Sequence, residues 1–258
     1  MRVVSSPVAM QRQALAWRDG GRVGLVPTRG ALHEGQLELI RRARRECKRV
    51  IVSIYVNPTQ FGPKEDLSRY PRPRRADLAA CRAAGADLVF APHNLYAADH
   101  STHVEEGAVS QGRDGASRPR HFRGVATIVL KLFNLTQPHR AYFGQKDAQQ
   151  IDVICRMVRD LDVPVQLVIV PTVRAADGVA LSSRNIYLSA PERALAVEFA
   201  RALREAARKG KHSAAILKRT LVKMRGVKLD YVEVAGGRLC AAVYIGKTRL
   251  IDNVRVSD

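Results

Sequence analysis

Four short polar segments carry the side chains best suited to chemistry on phosphates and carboxylates. The first, Pro27-Thr28-Arg29-Gly30-Ala31-Leu32-His33-Glu34-Gly35-Gln36, sets His33 and Gln36 three apart at a helix start, hence on one face. An imidazole and an amide beside free helix N–H groups can donate to phosphate oxygens, and Gly35 lets a nucleotide approach the backbone. The same spacing also suits a histidine that caps its own helix. The second segment is Asn57-Pro58-Thr59-Gln60-Phe61. The third, Phe143-Gly144-Gln145-Lys146-Asp147-Ala148-Gln149-Gln150, offers a cation for phosphate and a carboxylate for ribose hydroxyls, or a plain surface ion pair. In the fourth, Leu181-Ser182-Ser183-Arg184-Asn185, two hydroxyls and a guanidinium follow a turn. That grouping suits a pyrophosphate clamped and then released, and equally an ordinary capped loop.

These segments need a frame, and the apolar pattern supplies one. Runs at Val23–Pro27, Arg49–Val56, Leu88–Pro92, Arg140–Gly144 and Val165–Pro171 are apolar throughout, as in strands buried on both faces of a parallel sheet. Helical spacing fills the intervals Leu32–Cys47, Arg74–Ala84, Gly124–Thr136 and Asp147–Asp160. The alternation predicts an α/β fold with a doubly wound, mostly parallel sheet over residues 1–174. Residues 175–258 change character: helices at Pro191–Lys209 and Ser213–Arg225, then strands at Lys228–Ala235, Leu239–Ile245 and Arg249–Ile251, with a hairpin at Gly236-Gly237. A small C-terminal α+β domain follows. Ligands of such sheets bind at the carboxyl ends of strands, where all four segments fall.

Composition narrows the class. Among 258 residues, 46% hydrophobic content supplies a core and excludes disorder as the main state. No apolar run reaches the ~18 residues of a membrane span, and the N-terminus lacks a secretory pattern, so a soluble cytoplasmic protein is expected. Cys47, Cys81, Cys155 and Cys240 lie far apart, which argues against zinc and disulfides and for buried, reduced thiols. A net charge of +19 invites nucleic acid. The cations are dispersed, however, and the aromatic residues, 5% of the chain, are not interleaved with them as a stacking surface requires.

Together and in order, the segments GLVPTRGALHEG, VSIYVNPTQFGPKEDLSRYPR, GASRPRHFRGVATIVLKLFN, AYFGQKDAQQ, VPTVRAADGVALSSRN and GKTRLIDN resemble the pantothenate synthetase (pantoate–β-alanine ligase) family of HxGH-type nucleotidyltransferases. The resemblance runs from about Gly24 to Asn253. It implies a Rossmann-like enzyme, usually homodimeric, that condenses pantoate with β-alanine through a pantoyl adenylate, using ATP and Mg²⁺. It further implies that His33 and Lys146 contact phosphates, with Gly35 and Gln36 beside them, and that Gly144 and Asp147 contact ribose. Ser182, Ser183 and Arg184 would close over the triphosphate. Gln60 and Gln150 would bind the hydroxy acid against Val125, Ile128 and Val129, with Asn57, Tyr70, Arg118 and His121 near the amine end.

Departures fall inside these motifs. Gln36 stands for the second histidine of HxGH, and a neutral amide makes a weaker phosphate contact than a charged donor. The family usually has Met where Arg29 and Thr59 stand, a small residue at Arg120 and Glu at Gln145. Arg29 borders the acid pocket and alters which acid fits unless it turns to solvent. The acidic run after YPR shrinks to Asp77, which weakens any protein-held magnesium site. A short C-terminal domain would exclude water less completely. Two alternatives follow: a paralogue adenylating another acid, or a nucleotide- or RNA-binding protein with weakened catalysis.

Overall fold

The computed structural model of the chain describes residues 1–63 and 65–257. In chain order its elements are β1 (Arg2–Val4), α1 (Pro7–Arg18), β2 (Val23–Thr28), α2 (Glu34–Glu46), β3 (Arg49–Ile54), α3 (Arg74–Ala83), β4 (Leu88–Phe90), α4 (Arg113–Ser117), α5 (His121–Thr136), β5 (Arg140–Gly144), α6 (Ala148–Asp160), β6 (Gln166–Val170), α7 (Ala190–Ala207), α8 (Ser213–Lys223), β7 (Val227–Ala235), β8 (Arg238–Ile245) and β9 (Thr248–Arg255). Three 3-10 turns, at Pro58–Gln60, Ser183–Tyr187 and Gly210–His212, join them.

Six strands form one parallel sheet in the order β1-β4-β3-β2-β5-β6. Apolar residues on both faces of β2 and β4 have no access to water, which explains their unbroken apolar runs. Helices cover the two faces. On α2, Leu39, Ile40 and Ala43 face the sheet while Arg45 pairs with Glu38 on the wet side. Burying each such apolar side chain contributes about 1.5–3 kcal/mol, whereas an exposed ion pair adds under about 1 kcal/mol. Packing therefore fixes the helix.

Strand order reverses between β2 and β5. Their ladder holds only Gly24 opposite Arg140 and Leu25 opposite Ala141, although β2 continues to Thr28 and β5 to Gly144. The two strands part toward their carboxyl ends, and the crevice between them is the topological switch point where such sheets bind ligands.

Residues beyond 178 have their own apolar cluster, in which Phe199 and Leu203 of α7 and Leu217 and Leu221 of α8 pack on Leu239, Ala241 and Val243 of β8. Their sheet is antiparallel, β7-β8-β9, with the turn at Gly236-Gly237 and a bulge between Leu229 and Tyr231.

Four expectations change. Strand β1 and helices α1 and α4 are additional; β1 has three residues, α1 buries only Met10 and Ala14, and α4 has five residues, so none carries a strong pattern. Helix α5 starts at His121 rather than Gly124. Strand β9 continues to Arg255, paired with β8 throughout, and the buried polar Asp252 and Asn253 interrupt the apolar pattern that marked it only to Ile251. Cys155 is exposed on α6, while the other three cysteines are buried.

Candidate active site

The crevice between β2 and β5 opens into a cavity of about 980 Å³. All nineteen residues given a catalytic or binding role in the sequence analysis line it; Thr59, Asp77, Arg120 and Gln145 do not. At one end, His33 is the N-cap of α2, with its Nδ1 accepting from the Gly35 N–H at 3.2 Å. Gln36 Oε1 accepts the His33 N–H at 3.1 Å, completing a capping box. An occupied Nδ1 leaves the hydrogen on Nε2, so the ring presents a neutral donor to the cavity. Burial, reinforced by the Lys146 charge, lowers the His33 pKa from 6.5 to about 4. A Cβ on Gly35 would sit 3.0 Å from the His33 ring, so this glycine first of all makes room for the imidazole.

Opposite, Lys146 Nζ lies 3.8 Å from Asp147, the N-cap of α6, whose side chain makes no capping bond. Burial works against the Asp147 charge, yet Lys146, Arg29 and Arg184 hold its pKa below the usual carboxylate value. The loop is fixed from afar. Asn253 Nδ2 donates to the carbonyls of Gln145 and Lys146 at 2.9 Å each, and the preceding Asp252 is clamped by Arg174 at 2.7 and 2.9 Å.

Across the cavity, Ser182 caps the turn Ser183–Tyr187 by accepting from the Arg184 N–H. Arg184 holds Asp66 bidentately at 3.0 and 2.7 Å, and Ser183 Oγ meets Tyr70 Oη at 3.2 Å. The loop is thus docked on the segment before Tyr70. Thr172 Oγ1 and Asn185 Oδ1, in residues that line the cavity, are buried without hydrogen-bond partners.

The other end is built by α5 and the turn Pro58–Gln60. A Cβ on Gly124 would lie 2.5 Å from the Thr59 carbonyl oxygen and 2.7 Å from the Gln60 nitrogen, so glycine alone permits this contact. One helical face then presents Val125, Ile128 and Val129 to the cavity. Asn57 is spent internally: Nδ2 donates to Gln60 Oε1 and Gly124 O, while Oδ1 accepts from Tyr96 Oη and Thr59 Oγ1. It positions Gln60. His121 donates from Nδ1 to the Gln60 carbonyl at 2.8 Å and accepts from Arg118 at Nε2, 2.9 Å away. Burial and the Arg118 charge push its pKa well below 6.5, so it is a neutral strut. Gln150 lines the wall from the first turn of α6, whereas the neighbouring Gln149 is buried and bonded to the carbonyls of Val109 and Gln111.

Arg29 faces the cavity, its guanidinium 5.2 Å from the Tyr70 ring centre and 5.9 Å from that of Phe61. Asp77 has both oxygens committed to the backbone, accepting from Ala31 N at 3.0 Å and Leu32 N at 2.8 Å. Among the described residues no three His, Cys, Asp or Glu side chains are grouped to hold a metal.

Sequence reasoning missed the carboxylates that organise the guanidinium groups. Glu65 holds Arg118 at 2.8 and 2.6 Å, and Asp66 holds Arg184. Both stand in the GPKEDL stretch beside an arginine-rich sequence, a signal that was available. Asn253 lay in the GKTRLIDN segment without a role.

The family profile described as pantoate-beta-alanine ligase matches residues 2–255. A pantothenate synthetase of Chloroflexus aggregans is 49% identical over 98% of this chain and 99% of that protein. The crystal structure of pantothenate synthetase from Thermus thermophilus superposes with a TM-score of 0.92, at 44% identity, covering 100% of both chains. That of a pantoate-beta-alanine ligase from Francisella tularensis, complexed with beta-gamma ATP and beta-alanine, gives 0.88 at 33% identity, over 99% of this chain and 97% of that one. By sequence and by fold, the chain belongs to the pantoate–β-alanine ligase family.

Proposed function

We propose that the chain condenses pantoate with β-alanine at the expense of ATP, giving pantothenate, AMP and pyrophosphate. One observation carries the reading: His33, Lys146, Asp147 and the loop 182–184 converge from separate chain segments on a single cavity at the switch point of the sheet. In the first step a pantoate carboxylate oxygen bonds to the α-phosphorus of ATP. The bond from that phosphorus to the oxygen bridging toward the β-phosphate breaks, and pyrophosphate leaves. In the second, the neutral amine of β-alanine bonds to the acyl carbon, AMP departs with the electron pair of the broken C–O bond, and the nitrogen releases a proton.

Each side chain has a task in this scheme. Lys146 is a point charge for the departing phosphates, and the His33 Nε2–H is a donor that stays in place without titrating. Arg184 releases Asp66 to take phosphate oxygens, with Ser182 and Ser183 alongside. Gly144 leaves the backbone open beside the ribose, whose hydroxyls Asp147 accepts. Gln60 and Gln150 fix the hydroxy acid while Val125, Ile128 and Val129 cover its methyl groups. Arg118, held by Glu65 and His121, pairs with the carboxylate of β-alanine next to Tyr70. No nucleophile from the protein is needed; positioning and electrostatics do the chemistry.

The proposal divides labour between residues 1–174, which bind nucleotide and acid, and residues 175–258, which cover them. It includes a cytoplasmic homodimer that takes ATP as its magnesium complex, the ion being held by phosphate oxygens and water. Among the described residues no helix is long and apolar enough to cross a membrane. Incubation with ATP, pantoate and β-alanine tests the reading: equal amounts of pantothenate, AMP and pyrophosphate are expected, and ADP with inorganic phosphate would overturn it.

A further inference from the structure

We infer that Arg29 is a phosphate ligand in this chain, supplying to the departing pyrophosphate the positive charge that neither His33 nor Gln36 brings. The inference rests on the proposed adenylation and extends it to a residue outside the expected nucleotide set.

Among the described residues, Arg29, Arg69 and Lys247 line the cavity without a carboxylate partner, and of these Arg29 is half-buried while the other two are exposed. Glu65 answers Arg118, Asp66 answers Arg184 and Asp147 answers Lys146. Among the described residues no carboxylate lies within ion-pair distance of Arg29, although it is half-buried on the same wall. Its contacts with the Tyr70 and Phe61 rings orient the guanidinium, at about 0.5–1 kcal/mol for a partly exposed pair, and leave its donors free.

Placement points to phosphate rather than solvent. Arg29 directly follows the last residue of β2, on the brink of the crevice, and the backbone after it is pinned by Asp77 at Ala31 and Leu32. Tyr70, which carries the guanidinium on its ring, bonds through its hydroxyl to Ser183 in the loop proposed to close over the triphosphate. The Arg29 charge reaches His33, Asp147 and Asp66 at the nucleotide end, and also His121 across the cavity.

Counter-charge is scarce there. His33 is neutral, and Gln36 is both neutral and engaged in its capping box. Asp77 is committed to the backbone, and a magnesium ion arriving with ATP neutralises the phosphates only in part. A guanidinium fork matches phosphate oxygens bidentately, which makes Arg29 the free group best suited to the role.

The test compares wild type with Arg29→Met and Arg29→Lys. Calorimetry measures binding of inorganic pyrophosphate and of α,β-methylene ATP, and pantoate-dependent ATP–pyrophosphate exchange gives KM values for ATP and pantoate. Arg29→Met is expected to weaken pyrophosphate and analogue binding about ten- to a hundredfold, the range for one charge-assisted contact, with the KM for pantoate within about twofold of wild type. Arg29→Lys should recover part of the loss, which also shows that the site still folds. Unchanged pyrophosphate and nucleotide binding would overturn the inference, as would an effect confined to the KM for the acid, which would make Arg29 a selector of acids. Wild-type protein that binds pyrophosphate but exchanges none with pantoate would instead sink the proposed function.

Discussion

The sequence left His33 as a helix cap or a phosphate donor; the structure makes it the cap of α2, with its ring lining the cavity. Its Nδ1 caps α2, and that bond orients Nε2–H toward the cavity. The sign of its pH dependence follows. Above pH 6.5 neither folded nor unfolded chain protonates this ring. Between 6.5 and about 4 the unfolded chain takes up a proton that the folded site refuses, so the stability contributed at His33 declines as the solution is acidified. NMR of the His33 ring should show no inflection until pH approaches about 4; a midpoint near 6.5 would mean that the ring is exposed. Nineteen of the cavity residues were legible in the motifs. Their pairings were not, because Glu65 with Arg118 and Asp66 with Arg184 meet only through the fold, across 53 and 118 residues.

At the scale of elements, the apolar runs revealed five of the six parallel strands and the four main helices around them. What they hid was β1, α1 and α4, too short or too weakly buried to leave a pattern, and the end of β9, where buried Asp252 and Asn253 interrupt it. Two substitutions test how α5 is set. Gly124→Ala drives a methyl group into the backbone at Thr59 and Gln60 and should destabilise by about 1–3 kcal/mol, as overpacking does, while raising the KM for the acid more than that for ATP. Urea unfolding and exchange kinetics read the two effects. Arg120, the residue preceding α5, is exposed and left-handed with φ +66°, a conformation costly to any residue with a Cβ. Arg120→Gly should therefore raise stability by about 1 kcal/mol, seen as a higher Tm, and leave catalysis unchanged.

Taken whole, the molecule sets its site by joining two sheets: the Asn253 amide on β9 holds the backbone of Gln145 and Lys146. Asn253→Ala removes both bonds and should lower the exchange rate by about ten- to a hundredfold while costing about 1–3 kcal/mol of stability, separable by assaying well below the Tm. The net charge of +19 also divides at this scale. Many cations are matched, as in the pairs of Arg45 with Glu38 and Arg174 with Asp252; a few face the cavity, and the rest are solvated. The central claim is that this cavity adenylates pantoate. Pantoate-dependent ATP–pyrophosphate exchange, run on wild type and on Lys146→Ala beside a panel of other hydroxy and dicarboxylic acids, tests it most directly. The account predicts exchange with pantoate and its reduction about 100- to 1000-fold in the variant; exchange with another acid only, or an undiminished rate in Lys146→Ala, would contradict it.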